Sequence, residues 1–198
     1  MLRMSSVALL ALAAALTACA SLNSVESEVS TYSQWPTERK PTTYAFERLP
    51  SQQARAQEQA ELEAVARPAL ASAGFTEVAD LKTADVTVQV GARISRTDRP
   101  VYDDPFWWRG GLYYSRYGRP FWGPSFSMAY DSPRYDREAA LLIRDRQSNQ
   151  PLYEARAVND GLTTGGPQLL GGLFLAAMKD FPQAGVNPRR VSVQLPVN

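Results

Sequence analysis

The chain has no histidine and only one cysteine among its 198 residues. Without histidine there is no Ser-His-Asp or Cys-His relay and no imidazole ligand for zinc or haem. A lone cysteine excludes an internal disulfide. Charge of one sign is also missing, with 21 basic residues against 20 acidic ones. Nucleic-acid binding depends on clustered positive charge, so no nucleic-acid partner is expected. No apolar run in the chain approaches the roughly 20 residues of a membrane-spanning helix. Carboxylate chemistry survives as an enzymatic option, because acid–base pairs can be built from Asp and Glu alone. No metal or cofactor is expected.

What is present begins with the cysteine itself. Arg3 precedes an apolar or small stretch from Val7 to Leu16, followed by Thr17-Ala18-Cys19. A basic start, a short apolar run and small residues at a processing point are the three parts of a secretory leader. A cysteine at that point offers a thiol for diacylglycerol, so the leader resembles a bacterial lipoprotein signal with its lipobox. Residues 1–18 are expected to be removed, and Cys19 to be acylated. Several acyl chains hold a protein on a bilayer stably where one does not, at about 0.8 kcal/mol per buried methylene. Ala20, in place of Asp, implies by the same resemblance sorting to the outer membrane, facing the periplasm. Loss of Arg3 with the leader leaves equal numbers of basic and acidic residues, so the lipid is the expected anchor.

Residues 19–27 read as an acylated tether and 28–198 as a single α+β domain. Val29 and Tyr32 in Glu28–Ser33 suggest a first strand, and Tyr44 and Phe46 share one face of a second. Ser51 is the expected N-cap of a helix over 52–73, striped by Leu62, Val65, Ala66, Ala69, Leu70 and Ala73. Gly74 stands where a left-handed terminus is wanted. Pro68 is expected to kink its last turns, and Glu61 and Glu63 to face solvent. Val86, Val88 and Val90 mark a strand. Residues 137–145 and 151–158 form a hairpin around a polar turn. Asp85 is expected at a strand entry and Asp160-Gly161 in a turn. Pro167 opens a second helix to Lys179, and Val191–Leu195 is a last strand. The expected architecture is a mostly antiparallel sheet of five or six strands with two helices on one face.

This order of segments resembles the bacterial lipoprotein family called domain of unknown function 4136. The matching stretches are Cys19, Tyr44-Ala45-Phe46, the helix closing on Leu70 through Gly74-Phe75, and Ala84-Asp85-Val86-Thr87-Val88. Leu141–Asp145 with Leu152–Ala155, and then Met178-Lys179-Asp180-Phe181-Pro182, complete them. The chain departs from that pattern in an aromatic insertion at 97–135 and in a strand after Pro182. The resemblance carries over no catalytic residue.

The insertion is the most distinctive part of the mature chain. Of 20 aromatic residues, 12 lie between Val101 and Tyr135, interleaved with Arg109, Arg116, Arg119 and Arg134. Three readings stand. The rings could cover the sheet or pack on one another, as a purely structural loop with no ligand. They could form a binding surface, with Tyr102, Trp107, Trp108, Tyr113, Tyr114, Tyr117 and Trp122 stacking on sugars or partner side chains. Arg109 and Arg116 would supply hydrogen-bond forks and cation–π contacts there. They could also anchor at a membrane interface, where Trp and Tyr are favoured. A glycan hydrolase built on Asp103, Asp104, Asp131 and Asp136 is the enzymatic alternative, though Asp beside Pro, Ser or Gly is ordinary turn chemistry. The expected role is non-enzymatic: a lipid-anchored envelope protein binding a glycan or protein partner through 101–135.

Overall fold

A computed structural model of the chain describes residues 23–97, 110–114, 120–124 and 134–195. In chain order these form β1 (Ser24–Ser33), β2 (Thr43–Phe46), α1 (Pro50–Gln53), α2 (Ala56–Ser72), β3 (Thr76–Glu77) and β4 (Val86–Thr97). There follow β5 (Gly110–Tyr114), β6 (Pro120–Pro124), β7 (Arg134–Asp145), β8 (Pro151–Gly161), α3 (Pro167–Met178) and β9 (Arg189–Gln194). Seven strands make one sheet in the order β3-β2-β4-β7-β8-β1-β9, and β5 and β6 pair as a separate antiparallel hairpin.

The sheet is mostly antiparallel, as the sequence suggests, but it has more strands than expected, and the described residues form three helices where two were expected. β2 pairs in parallel with both β3 and β4. That is possible because α1 and α2 carry the chain from one end of β2 back to the other, which parallel pairing requires. The backbone of β4 and β7 is matched residue for residue from Val86↔Asp145 to Thr97↔Arg134.

Alternation explains the layers. In β7, Arg137, Ala139, Leu141 and Ile143 are buried while their neighbours are less so. In β4, Val86, Val88 and Val90 lie on the same inward side. β7 packs against the buried stripe of α3, from Leu173 and Phe174 to Ala176, Ala177 and Met178, while α2 lies over β4. The Tyr153 hydroxyl donates to the Ala177 carbonyl at 3.0 Å, pinning α3 to β8, and burial raises its pKa well above the ordinary tyrosine value. Trp35, Phe75, Phe181 and Tyr153 close one end of the core in edge-on and tilted contacts, with centroids 4.9–5.6 Å apart.

The first helical stretch differs from expectation at its start. Ser51 lies inside α1, and the preceding cap is Leu49, whose N–H donates to Gln52 Oε1 at 2.9 Å. The helix then breaks at Ala54-Arg55, and α2 runs on through Pro68 to Ser72. Its innermost line is Gln59, Glu63, Ala66, Ala69 and Leu70. Glu63 is therefore buried, not solvated, and Arg48 compensates it through Nε and Nη2 at 2.7 and 2.6 Å. Gly74 takes the left-handed conformation predicted for it, with φ 91°. Asp160-Gly161 ends β8 instead of forming a turn, and Asp160 pairs with Arg134.

Beyond the last β1–β9 pair, Val29↔Arg189, the ladder is continued by a side chain. The Thr31 N–H donates to Asn187 Oδ1 at 2.8 Å, and Asn187 Nδ2 donates to the Thr31 carbonyl at 2.7 Å. The Thr31 hydroxyl accepts from Gly185 N–H at 3.0 Å and from Arg189 Nη1 at 3.2 Å.

Candidate functional site

The register places several features at one end of the sheet. Glu28 lies opposite Val158, and Val158 opposite Glu138. Tracing β1 and β7 back from those positions brings Ser24 and Arg134 to the same level. Thr97 pairs with Arg134, and Gly161 with Tyr135. The start of β1, both stems of the aromatic insertion and the exit of β8 thus share one end. Two large apolar side chains are exposed near it, Ile94 at 53% and Leu162 at 67%.

Among the residues named from sequence, Cys19, Tyr102, Trp107, Trp108, Arg109, Arg116 and Tyr117 lie outside the described residues. Tyr113 and Tyr114 belong to β5 and Trp122 to β6, paired Tyr113↔Phe121 and Leu112↔Trp122. Asp103, Asp104 and Asp131 also lie outside. Asp136 sits on the polar face away from the helices, in a concavity shared with Glu138 and Arg156. Asp85 stands at the entry to β4 as expected, accepting from Thr43 Oγ1 at 3.0 Å. No group of three His, Cys, Asp or Glu side chains among the described residues could hold a metal ion. No described helix is long and apolar enough to cross a membrane.

The same end carries a cavity of about 520 Å³, open to solvent, that sequence reasoning missed. Its floor is the last stretch of β4 and the first of β7, with Ala92, Ile94 and Arg137; Ile94 and Arg137 are directly paired. α2 supplies one wall through Leu62 and Val65, and the start of α3 the other through Pro167, Leu169 and Leu170. Arg55, Glu58, Glu61 and Arg93 stand at the rim, with Arg55 and Glu58 paired at 3.5 Å. Gln52 and Gln59 donate their amides to the Val90 carbonyl at 2.8 and 3.3 Å, fixing α1 and α2 over β4.

Arg137 is the unusual member. It occupies the inward phase of β7, in line with Ala139, Leu141 and Ile143, and only 6% of it is exposed. Two glycines make room for it. A side chain at Gly161 would collide with Arg137 Nη2, and one at Gly165 would lie 3.3 Å from Arg137 Cδ. Gly165 also has φ 74°, where L side chains are strained. Arg137 Nε is buried without a hydrogen-bond partner among the described residues. Burial lowers the pKa of the guanidinium, and the Asp160 carboxylate opposes that shift. An arginine on the apolar phase of a strand was the available sequence signal.

A PDZ domain protein from Parabacteroides distasonis is 14% identical, with TM-score 0.51, over 86% of this chain and 39% of that one. This chain therefore spans about two fifths of that protein's length. A PelC dodecamer from Paraburkholderia phytofirmans is 8% identical over 77% of this chain and 94% of that one, with TM-score 0.39. A DUF4136 family protein from Bacteroides thetaiotaomicron is 16% identical over 76% of this chain and 92% of that one, with TM-score 0.26. No curated protein matches the chain. The model of the family described as domain of unknown function (DUF4136) matches residues 28–183, most of the sheet and all three helices, and the chain belongs to that family.

Proposed function

We propose that this chain is a lipid-anchored lipoprotein of the cell envelope, periplasm-facing on the outer membrane, that binds an envelope component through residues 101–135 and has no catalytic role. The observation that carries this reading is the common end of the sheet shared by Ser24, Thr97 and Arg134. Cys19 precedes Ser24 by five residues, a stretch that spans at most about 18 Å when fully extended. An acyl anchor at Cys19 would hold that end beside the headgroups, and the aromatic insertion leaves the sheet there. Trp and Tyr faces suit sugars and apolar side chains, and interleaved arginines suit phosphate and carboxylate groups. A glycan-bearing lipid or a neighbouring envelope protein offers both.

The test uses the paired stems. Because Thr97 and Arg134 are direct partners, a two-residue turn can replace 98–133 without disturbing the ladder. Both forms, purified from their native host, would be offered to peptidoglycan and to membrane extracts. Selective capture by the intact chain supports the reading. Equal recovery of every ligand by both forms removes the insertion from it.

A further inference from the structure

We propose that the cavity between α2, the start of α3, the end of β4 and the start of β7 is a binding site for a small amphiphilic organic anion, with its carboxylate on Arg137 and its apolar body against Leu62, Val65 and Leu169. This goes beyond the envelope role and stands on the described residues alone. Charge complementarity is the first argument. Arg137 is only 6% exposed, yet its buried Nε has no acceptor among the described residues, and a buried donor left unmade is destabilising. A carboxylate presents two acceptors that match the guanidinium fork.

The second argument is the start of α3. The helix opens with Gly166 at its cap, no side chain accepts from its first turn, and Pro167 occupies the next position. The remaining amide hydrogens of that turn carry partial positive charge, which favours an anion there. Gly165, immediately ahead of the helix, lies against the Arg137 guanidinium: a Cβ on it would be 3.5 Å from Nη1. Charged side chain and helix terminus therefore converge on one place. The walls beyond them are apolar, and about 520 Å³ lies within the usual size of small-ligand sites. Bare phosphate would leave those walls wet, and an uncharged alcohol would leave Arg137 unpaired.

Thermal unfolding of the full chain, held in a neutral amphipathic polymer, is followed with increasing decanoate, decanol or inorganic phosphate. Ligand that binds only the folded state raises Tm with the logarithm of one plus the ratio of its free concentration to Kd. Decanoate is expected to raise Tm logarithmically once its concentration exceeds Kd, and decanol and phosphate to need at least about tenfold higher concentrations for the same shift, as loss of a charge-assisted contact implies. Arg137→Gln should lose the decanoate response. Gly166→Phe gives a second variant that leaves the arginine in place. A Cβ at Gly166 meets nothing within 4 Å, and its φ of −118° suits any residue. The bulky ring should fill the cavity, abolish the response and leave the unliganded Tm near its original value. The proposal is overturned if decanoate has no effect, if decanol or phosphate matches it, or if Gly166→Phe responds like the native chain.

Discussion

At the scale of single residues, two carboxylates show how differently burial and hydrogen bonding act. Asp145 ends β7 and accepts from the backbone N–H groups of Gln147 and Ser148 at 3.0 and 2.9 Å and from Arg39 Nη1 at 2.9 Å. Those contacts, the Ser148 amide above all, hold its pKa at about 2 instead of 3.8. A carboxylate with a depressed folded-state pKa stabilises the fold above its ordinary pKa, and that contribution is lost as pH falls through the folded value. Denaturant unfolding between pH 5 and pH 2, roughly the window of that shift, should show Asp145→Asn losing less stability on acidification than the native chain. Glu63 instead sits on the buried line of α2, held by Arg48. Glu63→Ala should destabilise by about 1–3 kcal/mol, since Arg48 remains near water while the helix face loses two charge-assisted bonds. Sequence periodicity put Glu63 on the wrong side because a stripe drawn from apolar letters cannot include a carboxylate whose partner comes from another segment. Arg137 was missed for the same reason.

At the scale of elements, strands and helices were legible wherever one face is apolar. The alternation of β4 and β7, the glycine ending α2 and the proline opening α3 all lie where the chain suggests. The start of the first helical stretch was not, because Gln52 caps backward onto Leu49 where a serine was expected to cap forward. Parallel pairing of β2 was also hidden, since a four-residue strand has the same pattern in either orientation. The paired glycines of α3 offer a test of packing. A methyl at Gly171 would lie 3.5 Å from Val65 Cγ1, an ordinary contact, whereas one at Gly172 would come 2.6 Å from Leu195 Cδ2. Gly171→Ala should therefore stabilise, by about 0.5–1 kcal/mol of helix propensity. Gly172→Ala must displace Leu195 and should gain little or lose stability. Chemical denaturation of the two variants side by side separates the outcomes.

At the scale of the whole molecule, the start of β1 and the stems Thr97 and Arg134 of the aromatic insertion lie at one end of the sheet, and that coincidence was invisible in the linear chain because it depends on the register of β1 on β8 and β8 on β7. Cys19→Ser should shift the protein from the membrane to the soluble fraction of its host; membrane retention at native levels would refute acylation as the anchor. The Asn187 clasp has a further consequence for how copies of this chain meet. Without that amide, the backbone of Thr31 would present an open donor and acceptor beside the short β9, a template on which a second chain could add a strand. The clasp acts as a blunting device, satisfying both groups with one side chain. Asn187→Ala should uncover that rim and make the protein self-associate with rising concentration, detectable by light scattering, while the native chain keeps a constant mass over the same range.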